Sequence, residues 1–172
     1  NNRANQALKD FNGLMKYDPT PISGYDVFKV LYGSTFKFDR AALAEEVIAL
    51  KQKTEEEYKA GKHFGKRPRI LITGCPIGGA TEKVIRAVEE NGGVVVGYEN
   101  CTGEKAIGIQ VDENVEDIYE AISRRYLAIG CSVMTPNNNR FKLLDEMIDE
   151  YKVDGVVEMV LQACNKFRVE SK

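Results

Sequence analysis

Up to His63 the apolar residues recur at helical spacing, and no run alternates in the way a half-buried strand does. Pro19, Pro21, Gly24 and Gly33 divide this part into short helical pieces, among them Tyr25 to Tyr32, apolar on one side. Asp39 is a suitable N-cap for a longer helix running to about Tyr58, because Leu43, Val47, Ile48 and Leu50 then follow 3.6-residue spacing. The stretch Lys51 to Lys62 is rich in Lys and Glu, which predicts a solvated face.

Beyond the break at Gly61 to Pro68 the rhythm changes to apolar strands alternating with amphipathic helices, the pattern of a parallel sheet with crossover helices. Ile70 to Ile72 predicts a first strand. The turn Gly74 to Gly79 follows, then a helix from about Thr81 to Asn91 with Val84, Ile85 and Val88 inward. Val94 to Tyr98 predicts a second strand, and Val156 to Leu161 a third. Between them the spacing predicts a helix near Val115 to Ala128, with Ile118, Ile122, Tyr126 and Leu127 as its buried stripe, and another through Phe141, Leu144, Met147 and Ile148.

The expected fold class is α/β: a three-layer, Rossmann- or flavodoxin-like parallel sheet flanked by helices, with an N-terminal helical segment. Residues 1–66 form the helical segment and residues 67–172 the α/β domain. Three strands make a thin sheet, and a further strand is expected about where Lys172 ends the chain. The start at Asn1 lacks a Met, so the chain is expected to be cut from a larger protein.

A formal net charge of -2 gives no electrostatic footprint for nucleic acid. No run approaches the roughly 20 apolar residues of a membrane helix, and there is no signal-peptide pattern. The expectation is a soluble cytoplasmic protein, with no membrane and no nucleic-acid partner.

Chemistry concentrates in Cys75, Cys101, Cys131 and Cys164, spaced by roughly 26 to 33 residues and never in a C-x-x-C cluster. That spacing excludes zinc fingers and ribbons, and without signs of secretion the thiols are expected to be reduced. Cys75, Cys101 and Cys164 each follow a predicted strand, where loops and helix N-termini of a parallel sheet converge on ligands. Any one of them also suits burial as a small apolar residue. Three on one edge suit an iron–sulfur cluster, whose irons need sulfur donors but no fixed sequence spacing. The glycine turn Gly74 to Gly79 resembles a phosphate cradle, although no Gly-Lys-Ser/Thr follows, and it equally serves a tight strand-to-helix turn. His63, the single histidine, lies in a polar linker and carries no expected role.

Several segments resemble one known family. They are Arg69-Ile-Leu-Ile-Thr-Gly-Cys75-Pro-Ile-Gly-Gly79, Val96-Gly-Tyr-Glu-Asn-Cys101-Thr-Gly103, Arg125-Tyr-Leu-Ala-Ile-Gly-Cys131-Ser132, Glu150-Tyr-Lys-Val-Asp-Gly-Val-Val157 and Leu161-Gln-Ala-Cys164. Together they resemble the 2-hydroxyacyl-CoA dehydratase and benzoyl-CoA reductase family, which includes the 2-hydroxyglutaryl-CoA dehydratase D-component, and within it the double-cubane-cluster branch. Pro21 to Gly24 and the following helix look like that family's inter-domain segment, so the resemblance covers essentially the whole chain.

The resemblance implies an iron–sulfur cluster, 4Fe-4S or double cubane, with Cys101 and Cys164 as iron ligands and Cys131 as a further cofactor-binding candidate. Cys75 is expected to serve turn packing. The family further implies an ATP-dependent iron–sulfur activator that injects one low-potential electron, and a second catalytic subunit or a homodimer. The implied substrate is a 2-hydroxyacyl-CoA or another small, hard-to-reduce molecule, and the reaction a radical dehydration or reduction. Two other readings stand beside it: a non-catalytic α/β module that docks a partner and uses its cysteines for packing, and a flavodoxin-like or CoA-binding module resting on the glycine turn.

Overall fold

The computed structural model describes residues 1–170. Its first part is helical, as the spacing predicts: α1 (Asn2–Asn12), a 3-10 turn (Gly13–Lys16), α2 (Gly24–Ser34) and α3 (Arg40–Lys59). Asp39 caps α3 by accepting from Ala42 N at 2.9 Å, and Ser23 caps α2 by accepting from Asp26 N at 3.0 Å. Both caps satisfy backbone donors that the first helical turn leaves open.

The second part holds the sheet. Strands β1 (Arg69–Gly74), β2 (Val94–Tyr98) and β3 (Gly155–Met159) are all parallel and lie in the order β2-β1-β3. Helix α4 (Gly78–Glu90) crosses from β1 to β2. The return to β3 passes through α5 (Glu104–Ile107), α6 (Ile118–Leu127) and α7 (Asn138–Glu150), and α8 (Asn165–Glu170) follows β3. Residues of β2 are buried throughout, because the α2 N-terminus packs on it. Gly24 makes that approach possible: a Cβ there would stand 2.2 Å from the Val95 carbonyl oxygen. Its backbone is also held on both sides, the carbonyl accepting from Tyr98 Oη at 2.7 Å and the N–H donating to Glu89 Oε1 at 2.7 Å.

One apolar cluster runs through both parts. Leu8, Phe11, Met15, Leu31 and Val47 join Leu71, Ile72, Ile85, Val95 and Val96 without a break, each side chain contributing about 1.5–3 kcal/mol by leaving water. Arg69 fastens the seam: its buried guanidinium donates to the carbonyls of Tyr17 at 3.0 Å, Tyr151 at 2.7 Å and Met15. Among the described residues no helix is long and apolar enough to cross a membrane.

Several expectations need correction. Helix α4 begins at Gly78 rather than Thr81, and β3 ends at Met159 rather than Leu161. Helix α6 starts at Ile118, and its expected buried stripe is exposed: Ile118 45%, Ile122 37%, Tyr126 63% and Leu127 65%. The face α6 buries carries Ala121 instead. Apolar spacing marks a face that is able to pack, and here no described element covers it. Phe141 is likewise exposed, whereas Met147 on the same helix is buried.

Candidate functional site

The structure places the four cysteines on loops at the carboxyl ends of the strands and beside them. All four are free thiols; Cys101 is exposed and the others are half-buried. Cys75 directly follows β1, and its N–H donates to the Met159 carbonyl at 2.7 Å, tying the ends of β1 and β3 together. This closeness needs Gly74, which has φ +94 and leaves only 2.3 Å between a hypothetical Cβ and Met159 O. Cys164 lies five residues beyond the end of β3, in a turn that Ala163 enters in the left-handed region at φ 64. Its N–H donates to Leu161 O at 3.0 Å.

Because β1 and β3 are neighbours, the Cys75 and Cys164 loops lie side by side. Burial pushes the Cys75 thiol above its ordinary value; the nearby Cys164 adds to this, and a backbone hydrogen bond from Leu161 opposes it. Cys101 follows β2 on the other side of β1. Although this residue reaches solvent, partial desolvation raises its thiol too; Lys105 opposes the shift, and Cys131, Glu99 and Cys75 reinforce it. Cys131 comes from the loop between α6 and α7, not from a strand end. That loop is held by its carbonyl, which accepts from Met134 N and from Asn137 Nδ2, each at 2.9 Å. Cys75, expected to serve turn packing, therefore stands within the same group of thiols as the three candidates.

Sequence reasoning missed what lies beneath. Glu99, one residue past β2, is fully buried and forms an ion pair with the buried Lys105 at 2.7 Å. Its other oxygen accepts a hydrogen bond from Thr73 Oγ1 and lies 3.6 Å from Arg140 Nε. Arg140, also buried, donates to Thr73 Oγ1 at 3.2 Å and pairs with Glu158 at 3.0 Å. Buried charges survive only when paired in this way.

Cys101 and Lys105 also line a cleft of about 670 Å³, one wall of which is the apolar α6 face of Ile118, Ile122 and Tyr126. At its other end α5 borders a second cavity of about 460 Å³ with Glu104 and Tyr151 in its lining.

Among the described residues no three His, Cys, Asp or Glu side chains converge tightly enough to hold a single metal ion. An iron–sulfur cluster asks for something different, one thiolate per iron spread around an inorganic core. Four thiols without competing nitrogen or oxygen ligands suit that demand. So does Asn100 beside Cys101: its Oδ1 accepts from Thr102 N at 3.0 Å, while its buried Nδ2 has no hydrogen-bond partner among the described residues. Such a donor matches sulfur acceptors.

Comparison with known proteins agrees with the segments quoted above. The sequence pattern of the family described as "2-hydroxyglutaryl-CoA dehydratase, D-component" matches residues 1–172. The chain is also 53% identical over 170 residues to the Escherichia coli protein named "Putative dehydratase subunit YjiM", covering 99% of this chain and 44% of that one. It thus spans less than half the length of this curated relative. This chain belongs to the 2-hydroxyglutaryl-CoA dehydratase D-component family.

Proposed function

We propose that this chain is the thiol-bearing core of an iron–sulfur subunit in a dehydratase-type enzyme. The observation that carries the reading is the gathering of all four cysteine loops at one edge of the sheet in a chain of this family. Cys101 and Cys164 are the assigned iron ligands, Cys131 is the third, and Cys75 joins them because its loop lies beside that of Cys164. A bound cluster, 4Fe-4S or double cubane, supplies a one-electron carrier of low potential. Cys101, Cys164, Cys131 and Cys75 would hold it, with Asn100 Nδ2 as a hydrogen-bond donor beside Cys101. The electron comes from an ATP-dependent iron–sulfur activator. The substrate is a 2-hydroxyacyl-CoA or another small, hard-to-reduce molecule, and the remaining walls of the site come from a second catalytic subunit or a second copy.

The exposed apolar face of α6 favours a second reading, a docking module whose cysteines only pack. Anaerobic purification of the full-length subunit separates the two. The enzyme reading expects a brown protein with acid-labile sulfide, whose visible absorption bleaches when the activator and ATP are added. A colourless, sulfide-free protein that still binds its partner subunit favours docking.

A further inference from the structure

The buried charge cluster has a member beside every cysteine loop. Thr73 precedes Cys75 by two residues, and Glu99 precedes Cys101 by two. Gly130, which precedes Cys131, packs directly on the Arg140 backbone. Phe167 follows Cys164 by three residues in α8, is itself buried, and lays its ring over both cations, 5.9 Å from Lys105 Nζ and 5.6 Å from the Arg140 guanidinium carbon.

We propose that Glu99, Lys105, Arg140 and Phe167 are positioning residues, a single buried clamp that sets the four cysteine loops against one another before any group is bound. Its significance for a cluster rests on the reading above; its existence does not. Glu99 draws the two cations together at the ends of β1 and β2, and a desolvated cation attracts an aromatic face more strongly than a hydrated one. Phe167 brings its ring from α8, so the Cys164 turn is fastened to the Cys101 and Cys75 loops through it. An apolar contact alone would serve packing; a ring over two cations also fixes direction.

The test uses the full-length subunit with Phe167→Tyr, which keeps the aromatic face, and Phe167→Leu, which keeps apolar bulk and loses it. In the iron-free protein, diamide oxidises the adjacent Cys75 and Cys164 thiols to a disulfide, two electrons and two protons passing to the diazene to give its hydrazine. Peptide mapping follows the rate. The clamp predicts that Phe167→Tyr crosslinks near the wild-type rate and Phe167→Leu about fivefold more slowly, with unchanged circular dichroism. Equal rates for Phe167→Leu and wild type overturn it. Should Phe167→Leu fail to fold, Lys105→Met replaces it, with slower crosslinking expected and a wild-type rate overturning the clamp.

Iron and sulfide contents of the same proteins keep the two claims apart. Slow crosslinking of Phe167→Leu with no iron in the wild type sustains the clamp and removes the cluster. Wild-type crosslinking with a full iron content in Phe167→Leu removes the clamp and leaves the cluster standing.

Discussion

The Lys105 ammonium stands 2.7 Å from the Glu99 carboxylate, with side-chain exposures of 2% and 0%. Cys101 lies between them in sequence, so the loop that carries this thiol is closed by a buried ion pair. The same carboxylate receives Thr73 and Arg140, which makes it the shared counter-charge of two cations.

Removing that counter-charge is expected to be costly. Glu99→Gln takes the shared counter-charge from the buried Lys105 and Arg140, while Glu158, which pairs with Arg140, is itself partly solvated, and should destabilise the fold by about 3–5 kcal/mol. Adding Lys105→Met removes one stranded cation, so the double variant should lose less than the sum of the two single losses. Urea unfolding of the four proteins measures this. Additive losses would show that the pair is not coupled.

Substitution on the exposed face of α6 should do little to the isolated subunit. Ile122→Ser and Tyr126→Ser are expected to change stability by no more than about 0.5–1 kcal/mol, because both side chains already meet solvent. Met147→Ala, on the buried side of α7, should cost about 2–5 kcal/mol. Thermal or urea unfolding distinguishes the cases. A large loss from either serine variant would mean that the face is covered within the folded subunit.

Glu104 gives the fold a pH dependence of definite sign. Burial raises its carboxyl above the ordinary 4.5, opposed by Lys9, by a hydrogen bond from Asn12 and by Lys16, while Glu150 adds to the rise. The folded state therefore holds this proton more tightly than the unfolded state. Its stabilising contribution is complete below the ordinary value and is lost as pH rises through the higher folded value. Glu104→Gln, which can still accept from Asn12 Nδ2, does not titrate. Relative to wild type it should gain stability as pH rises from the ordinary 4.5 through the higher folded value. A difference that stays constant across this range, measured by urea unfolding, would rule out the sign.

How far the sequence reveals all this depends on the kind of signal each residue leaves. Asp39 was legible as a cap because a short polar side chain before an apolar-periodic run has one common use, and it accepts from Ala42 N as expected. Val94 to Tyr98 was legible because a run of apolar residues bounded by Gly93 and Glu99 fits only a short buried strand. The α6 stripe misled because periodicity identifies an apolar face without supplying something to cover it. The nearness of the Cys75 and Cys164 loops was hidden because it follows from β1 lying beside β3, although α4 to α7 and β2 separate those strands in the chain. Lys105 and Arg140 escaped notice for the opposite reason: charge predicts the surface, and both are buried around a carboxylate that composition cannot pair with them.

The cluster assignment is tested most directly by iron and acid-labile sulfide per chain in the full-length subunit, prepared without oxygen, for wild type, Cys101→Ala and Cys164→Ala. Wild type should carry both elements, and each variant should lose most of them while keeping its circular dichroism. Iron and sulfide that remain at the wild-type level in both variants would contradict the assignment.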